Sequence, residues 1–226
     1  PTVRLILIRH GECEGGAIFR GHCDVAPTEL GQQQLQQSLT QAHQRGGGPW
    51  QIMSSDLSRC RQGVLAYCQQ HWPDETTPSI EFTQQLRELD YGQWDGESMA
   101  TVFHQMPELV GGFFRNPWQQ SPPGGESMVA FAARIDDVWQ QLLSKVLAGF
   151  ASCQLESIDG PSVNLPCVWL VTHGGVMRYL IAKALGLGQH AGVYAQLQLD
   201  YGAQVDIHAC FDQGQWHLRL QWPSML

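Results

Sequence analysis

The chain has 226 residues, with 13 Lys+Arg against 21 Asp+Glu, a net charge of −8 and only 15% charged residues; an ordinary soluble domain carries about 25%. So few basic residues argue against a nucleic-acid binder, whose affinity rests on clustered Lys and Arg, and at first sight they make a polyanionic substrate unwelcome. The 43% apolar residues, 8 Trp and 27 Gln describe a folded chain with a polar but weakly charged surface, and the length fits a single domain over 1–226.

Val3 to Ile8 is a short apolar run rich in branched residues and bounded by Arg9-His10-Gly11, which reads as a buried strand ending in a turn. It is too short for a secretory core, and no stretch approaches the roughly 18 apolar residues of a membrane span. Seven cysteines, odd in number and without a Cys-x-x-Cys pair, fit free thiols in a reducing compartment. A cytoplasmic protein is expected.

From Thr28, a plausible N-cap, to about Gln44, Leu35, Leu39 and Ala42 repeat at helical spacing. Trp50 to Ser54 reads as a second strand, and Asp56 as the cap of a helix carrying Leu57, Cys60, Val64 and Cys68 on one face. Ser79 to Phe82 is a possible third strand, leading into Leu86-Arg87-Glu88. Residues 90–125 are rich in aromatics, Gly and Pro, with a short helix around Ser98 to Gln105; they read as a lid-like insertion. Glu126 to Phe150 is a long amphipathic helix, and Ser152 to Asn164 a polar linker. Cys167 to Val171 is another buried strand, ending in Thr172-His173-Gly174-Gly175, with a helix to about Leu185. Ala195 to Leu199, Ala203 to Phe211 and His217 to Trp222 read as strands with a terminal hairpin at Asp212-Gln213-Gly214. The alternation predicts an α/β fold, a three-layer α/β/α sandwich on a mainly parallel mixed sheet.

Ligands of such sheets bind outside the carboxyl ends of the strands. His10 and His173 stand at two such ends, each followed by glycine. Arg9 neighbours His10, and Arg59 opens the helix after the second strand, where guanidinium forks and helix N–H groups suit phosphate. Glu88, ahead of Tyr91-Gly92, can lean over this pocket from the insertion side.

These stretches resemble the histidine phosphatase superfamily, the phosphoglycerate mutase-like fold. Leu7-Ile8-Arg9-His10-Gly11-Glu12 is similar to its signature, and four further stretches follow in order: Gly21-His22-Cys23-Asp24 with Thr28-Glu29-Leu30-Gly31, Ser54 to Arg59, Leu86 to Gly96 with Pro123 to Ser127, and Thr172 to Gly175. The resemblance implies a phosphohistidine mechanism: His10 as nucleophile, Arg9, Arg59 and His173 on the phosphoryl oxygens, and Glu88 as proton donor to the leaving alkoxide and then base for water. It implies no metal and no cofactor. Cys13, His22 and Cys23, the other conceivable ligands, match no zinc spacing.

Three positions depart from the family pattern. Cys13-Glu14-Gly15-Gly16 replaces a loop that commonly carries an Asn, Pro27 stands where Leu is usual, and Gly63 where Thr is usual. With only Lys145 and Lys183 as lysines, a phosphatase is favoured over a mutase, with charge for one phosphate group and little for a second. The motifs look most like the α-ribazole-5′-phosphate phosphatase branch of cobalamin synthesis; a broad-specificity or sugar-phosphate phosphatase, a phosphoglycerate mutase and a catalytically weak phosphate-binding scaffold are the alternatives. The expected partner is a small phosphorylated metabolite, with Arg20, Arg87 and Trp94 as candidate substrate-binding residues. Phe19, Phe103, Phe113, Phe114 and Trp118 are further aromatics able to stack on a planar base or to pack the core. Nothing in the sequence specifies an oligomeric state.

Overall fold

Branched, apolar residues at Val3 and at every position from Leu5 to Ile8, interrupted only by Arg4, favour extended backbone buried on both sides, and β1 (Thr2–Arg9) is such a strand. The computed structural model describes residues 1–73, 78–152, 155 and 165–222. In it β1 is joined by β2 (Gln51–Ser55), β3 (Ser79–Thr83), β4 (Cys167–Thr172), β5 (Gln204–Asp212) and β6 (Gln215–Gln221) in one sheet of order β3-β2-β4-β1-β5-β6. The first four run parallel, while β5 is antiparallel to β1 and β6 to β5.

Side-chain alternation divides the sheet's two faces. Val3, Leu5, Leu7, Val168 and Leu170 pack on α5 (Met128–Ala151) and α6 (Gly174–Ala184). Ile6, Ile8, Trp169 and Val171 pack on α1 (Glu29–Gly46) and α2 (Ser58–His71). The result is the expected three-layer α/β/α sandwich with a mixed sheet. Among the described residues no helix is long and apolar enough to cross a membrane.

The Thr28 cap is as expected, its hydroxyl accepting from the Gly31 amide at 3.0 Å. The Asp56 cap is not. Leu57 precedes α2, and the helix start is held instead by Asp24, whose carboxylate accepts from the Ser58 amide at 2.7 Å and the Ser58 hydroxyl at 2.9 Å. Between residues 90 and 125, α3 (Met99–Gln105) is followed by a second helix that the sequence reading did not anticipate, α4 (Pro107–Arg115). Ala195 to Leu199 is not a strand: Ala191–Gln196 forms the short helix α7, because Tyr194 packs into the core from a helical turn. The hairpin is confirmed, its turn built on Gln213 and Gly214 with φ of 47° and 81°. Apart from Ser152 and Leu155, the linker expected at Ser152 to Asn164 lies largely outside the described residues.

Candidate active site

Register brings the two histidines together. β1 and β4 are adjacent and parallel, with Arg9 opposite Thr172, so the next residue of each strand, His10 and His173, leaves the sheet at the same edge. Their rings stand 5.1 Å apart between centroids. The turn after His10 is fixed by backbone contact: a Cβ on Gly11 would come within 1.9 Å of the Gly31 carbonyl oxygen, so the N-terminus of α1 can seat against it only without side chains.

Both rings are oriented by hydrogen bonds. His10 Nδ1–H donates to the Gly11 carbonyl at 2.7 Å, leaving Nε2 with its lone pair free. His173 Nδ1 accepts from Arg59 Nε at 3.2 Å, and its Nε2–H donates to Ser55 Oγ at 2.8 Å. Burial, and after it the guanidiniums of Arg59 and Arg9, hold the His10 imidazole well below its usual range; burial, then Arg59 and His10, do the same for His173. Both rings are neutral at pH 7.

That neutrality has a consequence for stability. An unfolded histidine takes up a proton near pH 6.5, whereas these two resist it when folded. The stability they contribute is therefore complete above about pH 6.5 and is lost as pH falls from there toward the lower folded value. Urea denaturation should show a lower midpoint at pH 5.5 than at pH 7.5, and His10→Gln should flatten that dependence. An unchanged pH slope in the variant would contradict the assignment.

Glu88 reaches the same edge after a 3-10 turn at Gln84–Leu86. Its carboxylate accepts from the Leu89 amide at 2.9 Å and from the Gly175 amide, in the first turn of α6, at 2.8 Å. A Cβ on Gly175 would fall 2.1 Å from Glu88 Oε1, so only glycine admits the carboxyl there. Behind it, Arg134 donates to the carbonyls of Gln85, Arg87 and Glu88 and pairs in bidentate fashion with Glu126 at 2.9 and 2.7 Å. This clamp fixes the turn that carries Glu88.

A pocket of about 180 Å³ opens here, lined by Arg9, His10, Arg20 and Glu88 from the expected set, with Ile18, Phe19, Tyr91, Met99, Phe114, Gly174, Arg178 and Tyr201. Arg9 donates to the Leu199 carbonyl and lies over the Tyr201 ring at 4.4 Å. Arg59 and His173 stand just behind His10, and two Arg59 nitrogens donate to the Gly21 and Cys23 carbonyls at 2.7 and 2.9 Å. On the side of the shortened loop, Arg20 lines the pocket and donates to the carbonyls of Cys13, Glu14 and Gly16.

Two candidates lie elsewhere. Arg87 turns away and pairs with Asp56 at 2.7 and 2.6 Å, a carboxylate that this bond holds below the usual range. Trp94 is fully buried, its indole N–H directed at Met106 Sδ; an aromatic flanked by Phe19 and Phe113 serves the core. Phe113 is likewise buried, Phe103 stacks on Phe114 outside the pocket, and Trp118 lies in a separate groove. Arg178 and Tyr201 escaped the sequence reading. Arg178 follows Gly174 by four residues and so shares its helix face, a signal that was available; Tyr201 comes from a loop with no local signal. Among the described residues no three His, Cys, Asp or Glu side chains converge as a metal-binding group.

Paired histidines at the carboxyl edge of a parallel sheet, with guanidiniums around them and a carboxyl across the pocket, make an arrangement built for phosphoryl chemistry. The chain belongs to the histidine phosphatase superfamily (branch 1), whose family model matches residues 5–221, and it is a phosphatase. It is 29% identical to a glucosyl-3-phosphoglycerate phosphatase of Mycolicibacterium vanbaalenii over 81% of this chain and 75% of that one. It is also 29% identical to a broad-specificity phosphatase of Saccharomyces cerevisiae over 79% and 69%, and 28% identical to a probable phosphoglycerate mutase of Salmonella paratyphi C over 95% and 87%. Among solved structures, a mycobacterial glucosyl-3-phosphoglycerate phosphatase superposes with a TM-score of 0.76 at 25% identity, covering 97% of each chain. A putative α-ribazole-5′-phosphate phosphatase of Escherichia coli superposes at 0.67 with 21% identity over 98% and 96%, a likeness of fold.

Proposed function

We propose that the protein hydrolyses small phosphomonoesters through a phosphohistidine at His10, without a metal. The observation that carries this is the His10 ring: Nδ1–H is engaged by the Gly11 carbonyl and Nε2 is free at the pocket edge. In the first step Nε2 attacks phosphorus in line, the bond to the ester oxygen breaks, and Glu88 supplies the proton that the leaving alkoxide takes. Arg9, Arg59 and neutral His173 stabilise the charge on the phosphoryl oxygens. In the second step Glu88 takes a proton from water, the water oxygen bonds to phosphorus, and the N–P bond breaks to release phosphate and free His10.

The substrate is a small phosphorylated metabolite. The pocket of about 180 Å³ suits a phosphoryl group on a short carbon chain. α-Ribazole 5′-phosphate is the second reading, favoured by the aromatic wall of Phe19, Tyr91 and Phe114, against which a planar base can stack. A cytoplasmic setting agrees with six unpaired thiols, Cys13, Cys23, Cys60, Cys68, Cys167 and Cys210, among the described residues.

The test is turnover of p-nitrophenyl phosphate in EDTA, followed by a panel of phosphorylated metabolites ranked by kcat/KM. Activity undiminished by the chelator is expected, with three-carbon esters ranking above nucleotides. Chelator-sensitive or absent turnover would contradict the proposal, and α-ribazole phosphate ranking first would select the second reading.

A further inference from the structure

Residues 21–24, in the loop ahead of α1, lie in neither helix nor strand, so their peptide groups must find partners elsewhere. The carbonyls serve α2. Gly21 O accepts from Arg59 Nη2 at 2.7 Å and Cys23 O from Arg59 Nη1 at 2.9 Å, while the Asp24 carboxylate holds the start of the helix that carries Arg59. With His173 Nδ1 accepting from Nε at 3.2 Å, these bonds fix a guanidinium that is 1% exposed and leave one N–H on each terminal nitrogen. Ion pairs with carboxylates engage Arg4, Arg45, Arg87, Arg134, Lys145 and Lys183; among the described residues Arg59 has no carboxylate of its own.

The amides of the same loop go to a different partner. Asp95 Oδ1 accepts from the Gly21 amide at 2.8 Å, and its Oδ2 accepts from the His22 amide at 2.6 Å and the Cys23 amide at 3.0 Å. Three successive amides thus form a nest around one carboxylate. The fit is tight. A Cβ on Gly21 would fall 2.3 Å from the Leu89 carbonyl oxygen and 3.0 Å from Asp95 Oδ2, so residues 89–95 press on the loop at a point where only glycine fits. Backbone bonds from Gly96 to Phe19 at 2.8 Å, from Phe19 to Glu97 at 3.0 Å and from Met99 to Ala17 at 2.9 Å fix Asp95 in place against it.

One peptide group joins the two charges. The C=O of Gly21 and the N–H of His22 belong to the same peptide plane, and its N–H meets the Asp95 carboxylate while its C=O meets the Arg59 guanidinium. A carboxylate on the N–H polarises the plane and makes the carbonyl a stronger acceptor. A carboxylate bonded directly to Arg59 would occupy the N–H groups that phosphoryl oxygens need. Placed one peptide away, Asp95 balances and orients the guanidinium without taking any of its donors.

Resting on the phosphatase reading above, we infer that Asp95 is a positioning residue for phosphoryl transfer, the relayed counter-charge that holds Arg59 through the Gly21–His22 peptide. Asp95 does not line the cavity. It acts on the phosphoryl group only through Arg59 and, by way of the Arg59 Nε bond, through the His173 ring. The same chain of bonds ties the start of the 90–125 segment to the phosphate end of the pocket, so this segment helps to orient the charges there as well as supplying an aromatic wall.

The test is a double-mutant cycle on kcat/KM for p-nitrophenyl phosphate. Asp95→Asn keeps the shape of the side chain but replaces an accepting oxygen by a donor, and it should lower kcat/KM by about 10- to 100-fold, the scale on which partners behind a reacting group act. In the Arg59→Met background the same change should cost less than about threefold, because the residue it acts through is gone. A merely structural Asp95 would lower activity by the same factor in both backgrounds, as would a smaller folded fraction, and that result overturns the inference. So does an Asp95→Asn variant within about threefold of wild type. If Asp95→Asn does not fold, Asp95→Glu, which keeps the charge on a longer arm, takes its place in the cycle, and equal factors in the two backgrounds again overturn the inference. A wild type inert towards p-nitrophenyl phosphate removes the phosphatase reading and takes this inference with it; an active wild type with equal factors in the two backgrounds removes the inference alone.

Discussion

His10→Ala is expected to lower kcat on p-nitrophenyl phosphate by about 10⁴-fold or more while leaving the fold intact, since losing the proposed nucleophile removes the whole covalent route. The geometry makes the effect severe. Among the described residues no second nucleophile stands ready at the pocket edge: His173 is fully buried, with both ring nitrogens engaged by Arg59 and Ser55. The Cys13 thiol, 3.5 Å from His10 Nδ1, is pushed up by burial and directed at the Gly11 carbonyl, which leaves it a poor nucleophile. Phosphate binding should weaken far less than turnover, because Arg9 and Arg59 remain. Steady-state kinetics with inhibition by inorganic phosphate separates the two quantities; retention of kcat within about tenfold would remove His10 from the nucleophile's role.

Asp206→Ala should be strongly destabilising although it lies outside the pocket, costing about 3–5 kcal/mol. Asp206 is 2% exposed, and its Oδ2 accepts from Arg4 Nε at 2.9 Å, Arg4 Nη2 at 2.5 Å and Arg45 Nη1 at 3.2 Å. Arg4 is itself 5% exposed. Removing the carboxylate leaves two guanidiniums facing each other at the junction of β1, β5 and the end of α1, and Arg4 keeps only the Arg45 carbonyl at 3.1 Å. Thermal unfolding should show Tm lower by on the order of 10 °C for a chain of this size. The double variant Arg4→Met with Asp206→Leu should recover much of the loss, because the cost arises from the unpaired charge. A Tm within about 2 °C of wild type for Asp206→Ala would contradict this account.

The strands that build the site were legible because each is a short branched run that stops at a polar pair: Ile8 gives way to Arg9-His10, and Val171 to Thr172-His173. Strand order was not written there. That β4 lies beside β1, which alone places His173 against His10, follows from long-range pairing with a separation of more than 160 residues in sequence. The buried Arg4–Asp206–Arg45 group is invisible for the same reason. Arg87 and Trp94 were misplaced because proximity in sequence to Glu88 says nothing about side-chain direction. Arg87 found the Asp56 carboxylate that was expected to cap α2, so one missed ion pair accounts for two errors. Arg178 shares one face of α6 with Gly174 by its spacing, but it belongs to no motif, and helical spacing alone does not distinguish a pocket residue from a surface charge. Locating it changes what the low basic content means: four of the eleven arginines, Arg9, Arg20, Arg59 and Arg178, gather in and just behind one small pocket, and the pocket's field is set by these and not by the net charge of the surface.

The phosphohistidine is the central claim, and trapping it is the most direct test. Phosphorus-labelled p-nitrophenyl phosphate is mixed with the Glu88→Gln variant, in which the good leaving group needs no proton donor but water lacks its base, and the reaction is quenched in alkali. The account predicts one acid-labile, alkali-stable phosphoryl group per chain, on the peptide that contains His10 and absent in His10→Ala. Label on another residue, or wild-type phosphate release with no trappable phosphoenzyme in either protein, would contradict it.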